Sequence, residues 1–72
     1  LAGLEILKVL RYLSAKLTSG TPKQQEKAIE TMGLLGKKDA KPYLEKIMEG
    51  GFSKNLMQVA ETALRRVNKL NQ

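Results

Sequence analysis

The side chains that could act in catalysis are few and widely spaced in this chain of 72 residues. The chain contains no Cys and no His, so Ser14, Ser19 and Ser53 have no imidazole to activate them as nucleophiles. Glu26 and Glu30 stand one helical turn apart, but their lysine neighbours fit a solvent-exposed helix face better than a metal site. We therefore expect no catalytic residue, no metal and no cofactor, and we do not expect an enzyme.

Basic side chains dominate the charge of the chain. Lys and Arg number 13 against 7 Asp and Glu, which gives a net charge of +6. Such a charge attracts nucleic acids, anionic lipids or acidic proteins. The densest basic group, Lys37, Lys38 and Lys41, lies at a predicted turn before a helix, and helix N-termini favour anions. We predict an anion-binding site there, and the alternative is that these lysines contact only solvent.

Four helical segments are predicted to position these side chains. Hydrophobic residues make up 42% of the chain and charged residues 28%, which fits a folded domain rather than a disordered segment. Apolar residues recur every three or four positions, and no stretch alternates with the period of a strand. In the first segment, Tyr12 falls among polar residues, opposite the apolar stripe. In the second, Leu34 lies off the stripe and predicts a second covered face of that helix.

Residues with strong capping preferences mark the ends of these helices. Thr21 and Gln24 form a capping-box pattern, in which each side chain bonds the other's free backbone N–H, and Pro22 suits the first helical position. Pro42 is tolerated in the first turn of the third helix. The predicted N-caps are Thr21, Asp39 and Ser53, and the predicted stops are Gly36, Gly50 and Gly51.

The second and fourth segments repeat one another. The residues Ala28, Met32 and Leu35 recur 32 positions later as Ala60, Leu64 and Val67. A period of this length is typical of stacked helical units. The small Ala lets two helices approach, and the larger residues fill the groove between them.

A longer pattern follows from Ala28 to Leu44, where the sequence reads AIETMGLLGKKDAKPYL. It contains Ala, a large apolar residue followed by Gly, a second Gly, an acidic turn and then Ala-x-Pro-x-Leu. This pattern resembles the HEAT-like repeat of phycobilisome-lyase-type proteins, and the resemblance covers about residues 24–68. The chain departs from that pattern where Gly50-Gly51-Phe52-Ser53 replaces the short Asp/Pro turn between repeats.

The resemblance implies one all-α domain of four helices, arranged as a short α-solenoid of stacked antiparallel helix pairs. Residues 4–17 would be the second helix of a partial repeat, and residues 21–49 a complete repeat. Residues 53–70 would begin the next repeat or form a C-terminal cap, which the polar residues 68–72 favour. A compact four-helix bundle is the alternative, and contact between Leu10 and Leu64 would favour it. Because the chain begins with Leu1 rather than Met, we expect it to be part of a longer protein.

Repeats of this family mostly bind other proteins, and their second helices line the concave side. The resemblance therefore implies a non-catalytic interaction or scaffold module. Its partner would be another protein or the rest of its own chain, and the positive net charge favours an acidic partner. The implied partner-binding residues are Lys8, Arg11, Tyr12, Lys16, Lys41 and Glu45. The alternative for Tyr12 is packing against a neighbouring helix of the parent protein.

Two other functions remain as alternatives. The net charge favours a nucleic-acid-binding helical domain, which we rank lower because the sequence lacks interleaved aromatic residues. The repeat family also includes lyase-associated members, so an accessory domain of a larger enzyme is the third reading. No apolar run approaches the roughly 20 residues of a membrane span. The predicted location is the cytoplasm, although the lack of Cys fits any compartment.

Overall fold

The computed structural model describes residues 3–71, and within them it contains helices and no strand. The helices are α1 (Gly3–Ser19), α2 (Pro22–Leu35), α3 (Lys41–Met48) and α4 (Lys54–Leu70), and a short 3₁₀ turn (Lys38–Ala40) precedes α3. The prediction of an all-α fold with four helices is confirmed. Gln72, the last residue of the predicted polar end, lies outside the described residues.

Two of the predicted N-caps form as expected. The Thr21 hydroxyl accepts a hydrogen bond from the Gln24 backbone N–H at 3.2 Å, and the Gln24 side-chain oxygen accepts one from the Thr21 N–H at 3.0 Å. The Ser53 hydroxyl accepts from the backbone N–H of Leu56 at 3.2 Å. These bonds satisfy N–H groups that have no partner inside their helices.

The prediction that Asp39 caps the third helix is wrong. Asp39 lies inside the 3₁₀ turn, and α3 has Ala40 at its N-cap without a side-chain hydrogen bond. A cap at Asp39 would need a free N–H two or three residues later. The Lys41 N–H is already donated to the Lys38 carbonyl, and Pro42 has no N–H.

The predicted glycine stops are confirmed by their backbone angles. Gly36 ends α2 with φ of 64°, and Gly50 and Gly51 follow α3 with φ of 121° and 86°. Residues with a Cβ rarely adopt these angles. The Asn71 side chain then donates to the Gly36 carbonyl at 2.8 Å, which joins the end of α4 to the end of α2.

Helices α2 and α4 lie side by side and run in the same direction. Gly33 faces Ala63, and three residues further on Gly36 faces Leu70. Helix α1 packs against α2, and α3 packs against α4, each as an antiparallel pair joined by a short connection. It follows that α1 and α3 also run in the same direction, so the molecule has one layer of α1 and α3 and another of α2 and α4.

This layering differs from that of an up-and-down bundle. In such a bundle the second and fourth helices are diagonal, whereas here they make the most extensive contact. Helices α1 and α4 make at most a minor contact. Helices α2 and α3 also approach less closely than α2 and α4, because the 3₁₀ turn separates them and α3 pairs with α4.

The interior between the two layers is apolar. Among residues 3–71 no charged or polar side chain is buried. None of the helices in this part of the chain has the length and apolar character needed to cross a bilayer. The largest fully buried side chains are Leu10, Ile29, Met32, Leu44, Ile47 and Val67.

The capping box gives the first testable prediction. Thr21→Ala should lower the free energy of unfolding by about 1 kcal/mol, because the Gln24 N–H loses its acceptor. Thr62→Ala is the matched control, because Thr62 lies inside α4 and its hydroxyl only donates to the Gln58 carbonyl of the same helix. Urea unfolding of both variants measures the difference. Equal stability of the two variants would contradict the role of Thr21.

Candidate interaction surfaces

Tyr12 and Lys16 lie next to each other on the surface of α1. The Tyr12 side chain is 62% exposed, although it is one of the largest in the chain. The Lys16 ammonium lies 5.4 Å from the centre of the Tyr12 ring, within the range of a cation–π interaction. The pair forms because residues four positions apart occupy the same side of a helix.

This pair lines a groove between α1 and α2, which we call the α1–α2 groove. The groove has a volume of about 250 Å³. Its α1 side is formed by Tyr12, Leu13 and Lys16, and its α2 side by Gln24, Lys27, Ala28 and Thr31. Leu13 and Ala28 are buried, so they form the floor, while Lys27 lies exposed on the wall opposite Tyr12.

The other predicted partner-binding residues do not line this groove. Lys8 and Arg11 are exposed on α1, and Lys41 and Glu45 are exposed on α3. The groove that α1 shares with α3 is instead lined by other residues, among them Ser14, Thr18, Tyr43 and Lys46. Tyr12 and Lys16 therefore lie on the edge of α1 next to α2, not on the edge next to α3.

Lys37, Lys38 and Lys41 lie together at the 3₁₀ turn, and all three are exposed. Two backbone donors of this turn are already used, because the Ala40 N–H donates to the Lys37 carbonyl at 3.0 Å and the Lys41 N–H donates to the Lys38 carbonyl. Anion binding here stays a prediction.

A second groove, between α2 and α4, was not predicted from the sequence. We call it the α2–α4 trough; its volume is about 400 Å³, and Glu30, Gly33, Leu34, Val59, Ala63 and Arg66 line it. Helix α2 packs against both α1 and α4, so two of its faces are covered, as predicted. Leu34 does not mark the second of them, because its side chain is 67% exposed. Gly33, the neighbour of Leu34 on α2, is the residue that lies against Ala63 of α4.

Carboxylates do not gather in the part of the chain that the structure describes. Residues 3–71 contain no group of three or more Asp or Glu side chains placed to hold a metal ion. No family model, curated protein or solved structure matches the chain. The resemblance to HEAT-like repeats thus depends on the sequence pattern itself, above all on the Ala-x-Pro-x-Leu segment from Ala40 to Leu44.

Proposed function

We propose that the chain is a non-catalytic protein-interaction or scaffold module of HEAT-like helical repeats, and that a partner protein binds at the α1–α2 groove. The observation that carries this proposal is the exposed Tyr12 ring with the Lys16 ammonium over it. Tyr supplies a large contact area with few rotatable bonds, and it is enriched among the residues that dominate binding energy.

The surroundings of Tyr12 support the same proposal. The Lys16 ammonium lies over the ring, so an aromatic and a basic side chain are presented together on α1. Below them, Leu13 and Ala28 belong to the packed contact between α1 and α2. The ring therefore stands on two helices that are held together by the core rather than on a loop.

Replacement of Tyr12 tests the proposal. Tyr12→Ala should weaken partner binding by about 2 kcal/mol, roughly 30-fold, because the ring is the anchor. Tyr12→Phe keeps the ring and should retain most of the affinity. The measurement is affinity capture from an extract of the source organism with the three forms of the chain, followed by calorimetric titration of the recovered protein.

Thermal unfolding provides the control for this experiment. Tyr12 is exposed, so neither replacement should lower the melting temperature appreciably. Gln58→Ala, on the exposed surface of α4, is the matched surface variant and should bind like the original chain. Equal recovery of the same proteins by Tyr12→Ala and the original chain would reject the α1–α2 groove as the binding surface.

Nucleic-acid binding is the second candidate, and the net charge of +6 is the observation that favours it. Binding of this kind would weaken steeply with added salt, because lysines on phosphates release counterions. It ranks second because Tyr12 is the one exposed aromatic side chain among the described residues. Surfaces that bind single-stranded nucleic acid use several aromatic rings, on which the bases stack.

A further inference from the structure

Helices α2 and α4, whose sequences repeat one another, differ on one face. This difference indicates what the α1–α2 groove binds. With the repeat offset of 32 positions, three residues of α4 have equivalents on α2. Leu56, Val59 and Ala63 of α4 correspond to Gln24, Lys27 and Thr31 of α2. The first set is apolar and the second is polar.

On α4 this face packs against the preceding helix of its layer. Ala63 lies against Gly33 of α2, and Val59 lines the α2–α4 trough beside it. Leu56 is buried next to Pro22 and Gln25 at the start of α2. The face thus serves as the contact between one helix pair and the next.

Helix α2 has the same place in the pair α1–α2 that α4 has in the pair α3–α4. Its equivalent face, however, is polar rather than apolar. Burial of Lys27 and Gln24 against an apolar helix would remove their hydration without replacing it. Gln24 already uses its side-chain oxygen in the capping box, and its amide N–H₂ remains a donor. The α1–α2 groove therefore has the shape of a helix-binding position and a polar, positively charged lining.

The positive charge of the residues that line the α1–α2 groove favours an acidic partner. Lys16 and Lys27 contribute positive charge from opposite walls, and no carboxylate is among the described residues that line the groove. Between them lie the Tyr12 ring and the buried Leu13. Carboxylates would meet the two ammonium groups while an apolar side chain contacts the ring.

We propose that the α1–α2 groove binds an acidic helical segment of a partner protein, in the position that a preceding repeat helix would occupy in a longer stack. This inference rests on the proposed function and adds the chemistry of the partner. A helix fits because side-chain ridges of one helix pack into the groove between two others.

A defined peptide tests the inference. The probe is a fluorescein-labelled, helix-forming peptide of Ala, Leu and Glu, with Glu every third or fourth position, and the control peptide carries Gln in place of Glu. Fluorescence anisotropy should detect binding of the Glu peptide and at least about tenfold weaker binding of the Gln peptide. A single-stranded oligonucleotide of equal charge is the third probe.

Two charge reversals locate the site. Lys27→Glu should weaken binding of the Glu peptide about tenfold, because it places like charges in contact. Lys69→Glu changes the net charge by the same amount in the last turn of α4, and it should change the affinity less than about twofold. Both lysines are exposed, so circular dichroism should show unchanged helix content in both variants.

Three outcomes would overturn the inference: no binding of the Glu peptide, equal weakening by both reversals, or tighter binding of the oligonucleotide in a manner that depends on Lys27. The proposed function is judged separately by Tyr12→Ala with the recovered partner. If that partner needs Tyr12 but the Glu peptide does not bind, only the acidic-helix inference fails. If the partner is indifferent to Tyr12, the proposed function itself fails.

Discussion

Gly33→Ala should destabilise the chain by about 1–3 kcal/mol, although Ala normally favours a helix over Gly by about 1 kcal/mol. A Cβ on Gly33 would lie 2.8 Å from the Cβ of Ala63 and 3.0 Å from its Cα. Neither atom belongs to a flexible side chain, so α2 and α4 would have to move apart. Urea unfolding gives the free energy directly.

Exchange of the two residues provides the decisive comparison for this contact. Gly33→Ala combined with Ala63→Gly keeps one methyl group between the helices and should restore most of the lost stability. Gly3→Ala is the control at the start of α1, where the added Cβ would meet no other element of the described chain within 4 Å. A Gly33→Ala variant as stable as Gly3→Ala would contradict the close parallel contact of α2 and α4.

Leu44→Ala should have the largest effect of the predicted substitutions, about 2–5 kcal/mol. Leu44 is fully buried at 0% exposure, and it joins α3 to the core. Helix α3 has only 8 residues, too few to remain helical without packing. Because a domain of this size has roughly 3–5 kcal/mol of stability, a large fraction of the variant should be unfolded at room temperature.

Leu34→Ala is the matched control for Leu44→Ala. Both substitutions remove the same atoms from a helix, but Leu34 is exposed on the rim of the α2–α4 trough. Its loss should change the free energy of unfolding by less than about 0.5 kcal/mol. Circular dichroism melting curves of the two variants should therefore differ widely, and similar curves would contradict the assignment of the core.

The helices were predictable from local features of the sequence. Periodic apolar residues fixed their number, and the capping residues Thr21 and Ser53 fixed two of their starts. The start of α3 was missed because Pro42 cannot donate and the 3₁₀ turn uses the neighbouring N–H. The competition for these N–H groups involves several backbone groups at once. The general preference of Asp for N-cap positions therefore does not predict the outcome at Asp39.

The site was predictable only in part. The position of Tyr12 outside the apolar stripe indicates its exposure, and its spacing of four residues from Lys16 places the two on one side of α1. Which helix shares their groove depends on how α1 is rotated against its neighbours, which the spacing does not specify. The α2–α4 trough depends on the close approach at Gly33, a distance that belongs to the packed molecule.

The most direct test of binding at the α1–α2 groove is a nuclear magnetic resonance titration of the isotope-labelled chain. The titrant is the protein that the original chain captures and the Tyr12→Ala variant does not. We predict that the backbone amides with the largest shifts will cluster at the α1–α2 groove, around Tyr12, Lys16 and Thr31. Amides of α3 and of the exposed side of α4 should move little. Shifts that cluster on α3 and α4 instead, or no shifts at all, would contradict binding at this surface.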